Sequence, residues 1–258
     1  MLNYMKKLEV HRMNVKVQAR SEARAIKEYY ERKYMGKYEE KLCSSWYRGI
    51  ISSLHDKNIA ISRKIVLEAG CGSGSFLFWL IKHGAFPIGV DISLKALKVA
   101  SFEMKKRGLH LELILADVTS LPFRSGSFDI LFCAETLEHV PLYNKGFQEL
   151  IRTCKKGGFI VTSTPNLLNH WLISWFIHRI ILRHDYWSLS SQPEHLFHYF
   201  KALKLYRSNG ILVLSVKGIN YRVPCFSIRI EALLSRLECK SLLRIFGLHT
   251  IIIGKKVM

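Results

Sequence analysis

The chain has 258 residues, 49% of them hydrophobic, and carries 39 Lys and Arg against 20 Asp and Glu for a net charge of +19. That apolar content excludes wholesale disorder, and the length suits one large α/β domain with at most a modest appendage. Six cysteines without a single CxxC pair exclude a zinc ribbon and a thioredoxin-type redox site.

Residues 17–55 carry apolar positions at three-to-four spacing, among them Ala23, Ile26, Tyr30, Trp46, Ile50 and Leu54, which predicts helix. From Lys64 the pattern changes to short apolar strands alternating with helices. The expected order is strand Lys64–Ala69, helix Ser75–Lys82, strand Pro87–Asp91, helix Leu94–Arg107, strand Leu111–Ala116, strand Phe128–Ala134, helix Asn144–Cys154 and strand Gly158–Ser163. An insertion over 165–192 follows. The alternation then resumes as helix His195–Ser208, strand Ile211–Val216, helix Ser227–Phe246 and strand Thr250–Lys255. Nearly continuous apolar strands between helices belong to a largely parallel sheet covered on both faces. The expectation is a single domain over 1–258, a doubly wound Rossmann-like seven-stranded sheet with one antiparallel strand, an N-terminal helical cover (1–55) and an inserted helical lid.

In such a sheet, ligands bind beyond the carboxyl ends of the strands where the strand order switches. The first strand ends in Glu68-Ala69-Gly70-Cys71-Gly72-Ser73-Gly74. Alternating glycines let the backbone turn tightly and let a ligand approach without a Cβ in the way. The turn has no lysine for a phosphate-binding loop, and Ser75 stands where a dinucleotide fingerprint would have its third glycine. The second strand ends in Asp91-Ile92, and a carboxylate there accepts hydrogen bonds from two ribose hydroxyls. The third ends in Ala116-Asp117-Val118, an acid for an adenine amino group followed by an apolar residue for the ring face. Glu68 then faces a cationic amino group. Two acids flanking a glycine turn fit a zwitterionic nucleoside better than a diphosphate.

Taken in order, Val66 to Gly74, Val90-Asp91-Ile92-Ser93, Ala116-Asp117-Val118 and Phe128 to Glu135 resemble the motifs of class I S-adenosylmethionine-dependent methyltransferases. The resemblance implies S-adenosylmethionine as cofactor and S-adenosylhomocysteine as product. It implies that Glu68, Ala69, Gly70, Cys71, Gly72 and Gly74 hold the methionine end and Asp91 with Ile92 the ribose. Asp117 with Val118 would hold the adenine, and Ala134 with Glu135 would lie near the sulfonium. Glu68 replaces the aspartate more usual in that family and keeps the carboxylate.

After the fourth strand comes Glu135-Thr-Leu-Glu138-His139. In a helical turn these three side chains would lie at i, i+3 and i+4 and point the same way. Glu138 and His139 are then candidates for activating a hydroxyl. A divalent cation held by Glu135, Glu138, His139 and the later His195 is an alternative, as is a plain capping role for the pair, and no metal site is assigned. With Thr164-Pro165-Asn166, the segment resembles both the ubiquinone-biosynthesis O-methyltransferases and the small-RNA 3′-terminal 2′-O-methyltransferases. The first resemblance implies a small or lipid-like hydroxyl acceptor, and the second implies metal-dependent methylation of RNA. A non-catalytic nucleoside-binding module is a third class.

Two further features bear on partners. The apolar run Trp171–Leu182 is too short for a membrane span, which needs about 20 residues, so 167–183 reads as a lid, a dimer interface or a membrane-surface helix. Net charge is +6 over 1–60, +1 over 61–150 and +12 over 151–258, so the basic flanks suit phosphates of nucleic acid or anionic lipid. With no apolar signal core at Met1–Lys7, a cytoplasmic protein is expected, free or peripheral to a membrane.

Overall fold

The fold was derived from a computed structural model of the chain. It describes residues 24, 25, 27–29, 45–166, 199–219, 245 and 247–257. The elements are α1 (Ser45–Asp56), β1 (Ile65–Ala69), α2 (Ser75–Lys82), β2 (Phe86–Asp91), α3 (Leu94–Lys106), β3 (Glu112–Leu115), β4 (Phe128–Ala134), α4 (Tyr143–Thr153), β5 (Cys154–Pro165), α5 (Tyr199–Ser208), β6 (Ile211–Ile219) and β7 (His249–Lys256). The insertion from residue 167 onward, the start of the helix expected from His195 and nearly all of the helix expected over 227–246 lie outside the described residues.

The seven strands form one sheet in the order β3-β2-β1-β4-β5-β7-β6. All neighbours pair in parallel except β7, which runs antiparallel to both β5 and β6. The chain winds outward from β1 to the β3 edge and then returns to place β4 on the other side of β1. That reversal opens the crevice beyond the carboxyl ends of β1 and β4.

Period-two alternation distributes the strand residues between two cores. On β1, Val66 packs to one face and Leu67 to the other; on β4, Ile130 and Phe132 oppose Leu131 and Cys133; on β7, Ile251 and Ile253 oppose Ile252. The face bearing Val66 is covered by α1 through Tyr47, Ile50 and Leu54, by α2 through Phe76, Leu77 and Leu80, and by Leu97 of α3. The face bearing Leu67 is covered by Phe147 and Leu150 of α4 and by Ala202, Leu205 and Tyr206 of α5. Strands apolar on both faces are what a sheet covered by two helical layers requires.

Tyr206 ties α5 to the sheet. Its fully buried hydroxyl lies 3.0 Å from Thr162 Oγ1 and 3.3 Å from the carbonyl oxygens of Ile160 and Ile252. Tyr206→Phe removes that donor while keeping the ring, and should cost about 1 kcal/mol, read as a lower denaturant midpoint with an unchanged slope.

β5 and β6 run well past the ends of their apolar patterns. β5 begins at Cys154, four residues before Gly158, because Cys154 pairs with Phe128 across a register shift. β6 continues from Val216 to Ile219 because β7 pairs along its whole length. Backbone pairing extends past the end of the hydrophobic run in both cases.

Candidate active site

The site is built from the turns that follow β1, β2, β3 and β4. After β1 the backbone enters the left-handed region at Gly70 (φ +81), Gly72 (φ +53) and Gly74 (φ +80), a conformation that costs glycine nothing. Gly70 N–H and Cys71 N–H both donate to Val90 O, at 2.7 and 3.0 Å, which binds the turn to the end of β2. Gly74 then opens α2.

Glu68, next to last in β1, is 1% exposed. Tyr47 O–H donates to its Oε1 at 3.3 Å, and Oε2 has no hydrogen-bond partner among the described residues. Burial pushes this carboxyl well above the usual range; the Tyr47 hydrogen bond opposes that shift, and the nearby charge of Asp91 adds to it. The Tyr47 ring stacks on Phe76 at 4.7 Å, so α1 is tied to both β1 and α2, the elements that flank the glycine turn.

At the end of β2, Asp91 accepts Gly72 N–H at Oδ2 (2.8 Å) and Ser93 N–H at Oδ1 (2.9 Å). Ser93 in turn caps α3 by accepting Ala96 N–H. One carboxylate thereby locks the glycine turn and the start of α3 together. Asp91 and Ile92 are half-buried, as is Asp117 after β3, whose Oδ1 accepts Thr119 N–H at 2.7 Å. Val118 packs into the core and touches the Gly146 position of α4. Cys71 is buried and its Sγ sits over Gly89, so this residue offers the crevice its backbone rather than its thiol.

The turn after β4 differs from the expected α-helical one. Glu135 is itself left-handed (φ +49), and only Leu137–His139 form a single 3-10 turn. Glu135 N–H donates to Ser163 O at 2.9 Å, its Oε1 accepts Ser163 Oγ–H at 2.7 Å, and its Oε2 lies 3.0 Å from His249 Nδ1. Glu138 is 1% exposed, with Oε1 3.9 Å from His139 Nε2. The structure therefore joins Glu135 to Ser163 and His249 rather than aligning it with Glu138 and His139. Among the described residues no three His, Cys, Asp or Glu side chains are grouped to hold a metal ion, and His195 lies outside them.

Tyr47, Ser163 and His249 were not legible as site residues. His249 reaches the rim because β7 is antiparallel: its first residue pairs with Pro165 and Ile219, the last residues of β5 and β6. Burial pushes the imidazole pKa down, and the hydrogen bond and charge of Glu135 outweigh it, so the net shift is upward. The Trp46 ring packs beside it at 5.6 Å.

Comparison with known proteins gives a consistent picture. A family profile described as a methyltransferase domain matches residues 67–162. A ubiquinone biosynthesis O-methyltransferase from Nitrosomonas europaea is 31% identical over 169 residues, covering 62% of this chain and 69% of that protein. One of the same name from Coxiella burnetii is 28% identical over 170 residues, covering 64% and 71%. Among solved structures, a SAM-dependent methyltransferase from Methanosarcina mazei shares the fold with a TM-score of 0.59 at 18% identity, covering 79% of this chain and 97% of that one.

Proposed function

The chain belongs to the class I S-adenosylmethionine-dependent methyltransferases, and from that premise we propose that it methylates the hydroxyl oxygen of a small or lipid-like acceptor. S-adenosylmethionine, when bound, supplies a methyl group made electrophilic by its sulfonium. The chain's own contribution is to hold two reactants in line and keep water out.

The observation that carries the cofactor assignment is Glu68 Oε2, a buried acceptor with no partner among the described residues, two residues before the glycine turn. An orphaned buried oxygen is costly unless a ligand completes it, and the ammonium of the methionine end is the complement. Ala69, Gly70, Cys71, Gly72 and Gly74 present backbone to that end. Asp91 with Ile92 takes the ribose, and Asp117 with Val118 takes the adenine. Ala134 and Glu135 would lie near the sulfonium, and Glu138 with His139 follow in the 3-10 turn. The acceptor class rests on the relatives, whose names make them O-methyltransferases. Among the described residues no helix is long and apolar enough to cross a membrane. A lipid-like acceptor would be met at a surface, with 167–183 as the contacting segment.

Calorimetric titration with S-adenosylhomocysteine tests the assignment. Micromolar affinity is expected for wild type. Asp91→Asn keeps one carbonyl oxygen but loses the charge, and should weaken binding by about 1–3 kcal/mol, roughly 5- to 150-fold. Absence of binding to wild type would overturn the reading. Binding without turnover of any hydroxyl acceptor would favour a nucleoside-binding module. Divalent-metal-dependent methylation of RNA, with salt-sensitive binding, would move the acceptor to a ribose hydroxyl.

A further inference from the structure

We propose that His249 is the general base of the methyl transfer, taking the acceptor's hydroxyl proton on Nε2, with Glu135 as its positioning residue. The proposal rests on the O-methylation reading above.

The geometry has three parts. First, Glu135 Oε2 engages Nδ1 at 3.0 Å, which orients the ring and leaves Nε2 as the chemically available nitrogen. The side chain is 19% exposed, so the imidazole is not sealed into the core. Second, the carboxylate is itself held. Ser163 Oγ–H binds Oε1, and the Glu135 backbone is fixed in its left-handed turn by Ser163 O, so the base sits on a rigid support. Third, the dyad adjoins the cofactor turn on two sides. Thr136, next to Glu135, packs against Gly70, while Trp46 touches His249 and its neighbour Tyr47 binds Glu68. A nucleophile–base–orienter arrangement at the reacting end of the crevice is what hydroxyl activation requires.

The step balances without another reactant. The acceptor O–H proton passes to Nε2 as the oxygen forms its bond to the methyl carbon. The S–C bond breaks with its electron pair remaining on sulfur, and the imidazolium, stabilised by Glu135, returns the proton to water. The upward pull of Glu135 on the imidazole makes it a stronger base than an isolated histidine.

The test uses His249→Asn, whose amide nitrogen can replace Nδ1 as donor to Glu135 while nothing replaces Nε2. His249→Gln is the second variant in case the first does not bind S-adenosylhomocysteine. Both are assayed with S-adenosylmethionine and para-substituted phenols of falling pKa, ending with 4-nitrophenol. The expected result is a kcat loss of about 10²- to 10⁴-fold with unsubstituted phenol. S-adenosylhomocysteine affinity should stay within about threefold of wild type, and the kcat loss should shrink steadily toward the nitrophenol, which ionises without help. A kcat near wild type, or a loss of equal size across the series, would overturn the role of His249 while leaving O-methylation intact. Failure of wild type to methylate any phenol of the series, with S-adenosylhomocysteine still bound, would overturn the small-hydroxyl reading on which this proposal rests, and the proposal with it.

Discussion

Glu68→Gln is expected to leave the protein folded and at least as stable as wild type, while weakening S-adenosylhomocysteine binding by about 2–5 kcal/mol, roughly 30- to several-thousand-fold. Burial pushes the Glu68 carboxyl upward, toward its neutral form, and glutamine is the neutral isostere in size and shape. The cofactor's ammonium would turn this group into half of a buried ion pair, which glutamine cannot supply. The stability effect has a definite sign. A carboxyl whose pKa is raised by folding stabilises the native state fully below the ordinary carboxylate range, about 4.3. That stability is lost as pH rises from there through the folded pKa, because a buried carboxylate must then be tolerated. The glutamine variant lacks this loss, so its advantage over wild type should grow from about pH 5 upward. Thermal melts across pH, with calorimetry on the same samples, measure both effects. Equal S-adenosylhomocysteine affinity in the two proteins would remove Glu68 from the ammonium's site.

Gly70→Ala is expected to cost stability and cofactor affinity together. At φ +81 an alanine pays about 1–2 kcal/mol for the left-handed conformation alone. Its Cβ would also come within 2.9 Å of Thr136 Cβ, which no rotation of the threonine side chain relieves. Overpacking of this kind costs a further 1–3 kcal/mol or so, for a total near 2–5 kcal/mol. Relief requires the turn after β1 and the turn after β4 to move apart, which displaces Glu68 and Glu135 relative to one another. The melting temperature should fall by several degrees, and S-adenosylhomocysteine affinity should drop even at temperatures where the variant is folded. An unperturbed melt would show that the two turns separate without strain.

What the sequence determined by itself is the part of the molecule whose causes are local. The glycine turn, α2 and β4 can be read to the residue because apolar runs, glycines and the switch from period two to period 3.6 act over a few positions. The carboxylates Glu68, Asp91 and Asp117 can be placed at strand ends for the same reason. Only the tertiary structure decided what those carboxylates meet. Tyr47 precedes Glu68 by 21 residues, and Glu135 precedes His249 by 114. Nothing in the composition of His249-Thr250-Ile251 marks a rim position, because the direction of β7 is set by where its partners β5 and β6 stand. The spacing Glu135-x-x-Glu138-His139 suggests one helical face, since spacing records only what a helix would do. Hydrogen bonds from Ser163 and His249 hold Glu135 left-handed instead, and these long-range partners outweigh a weak local preference.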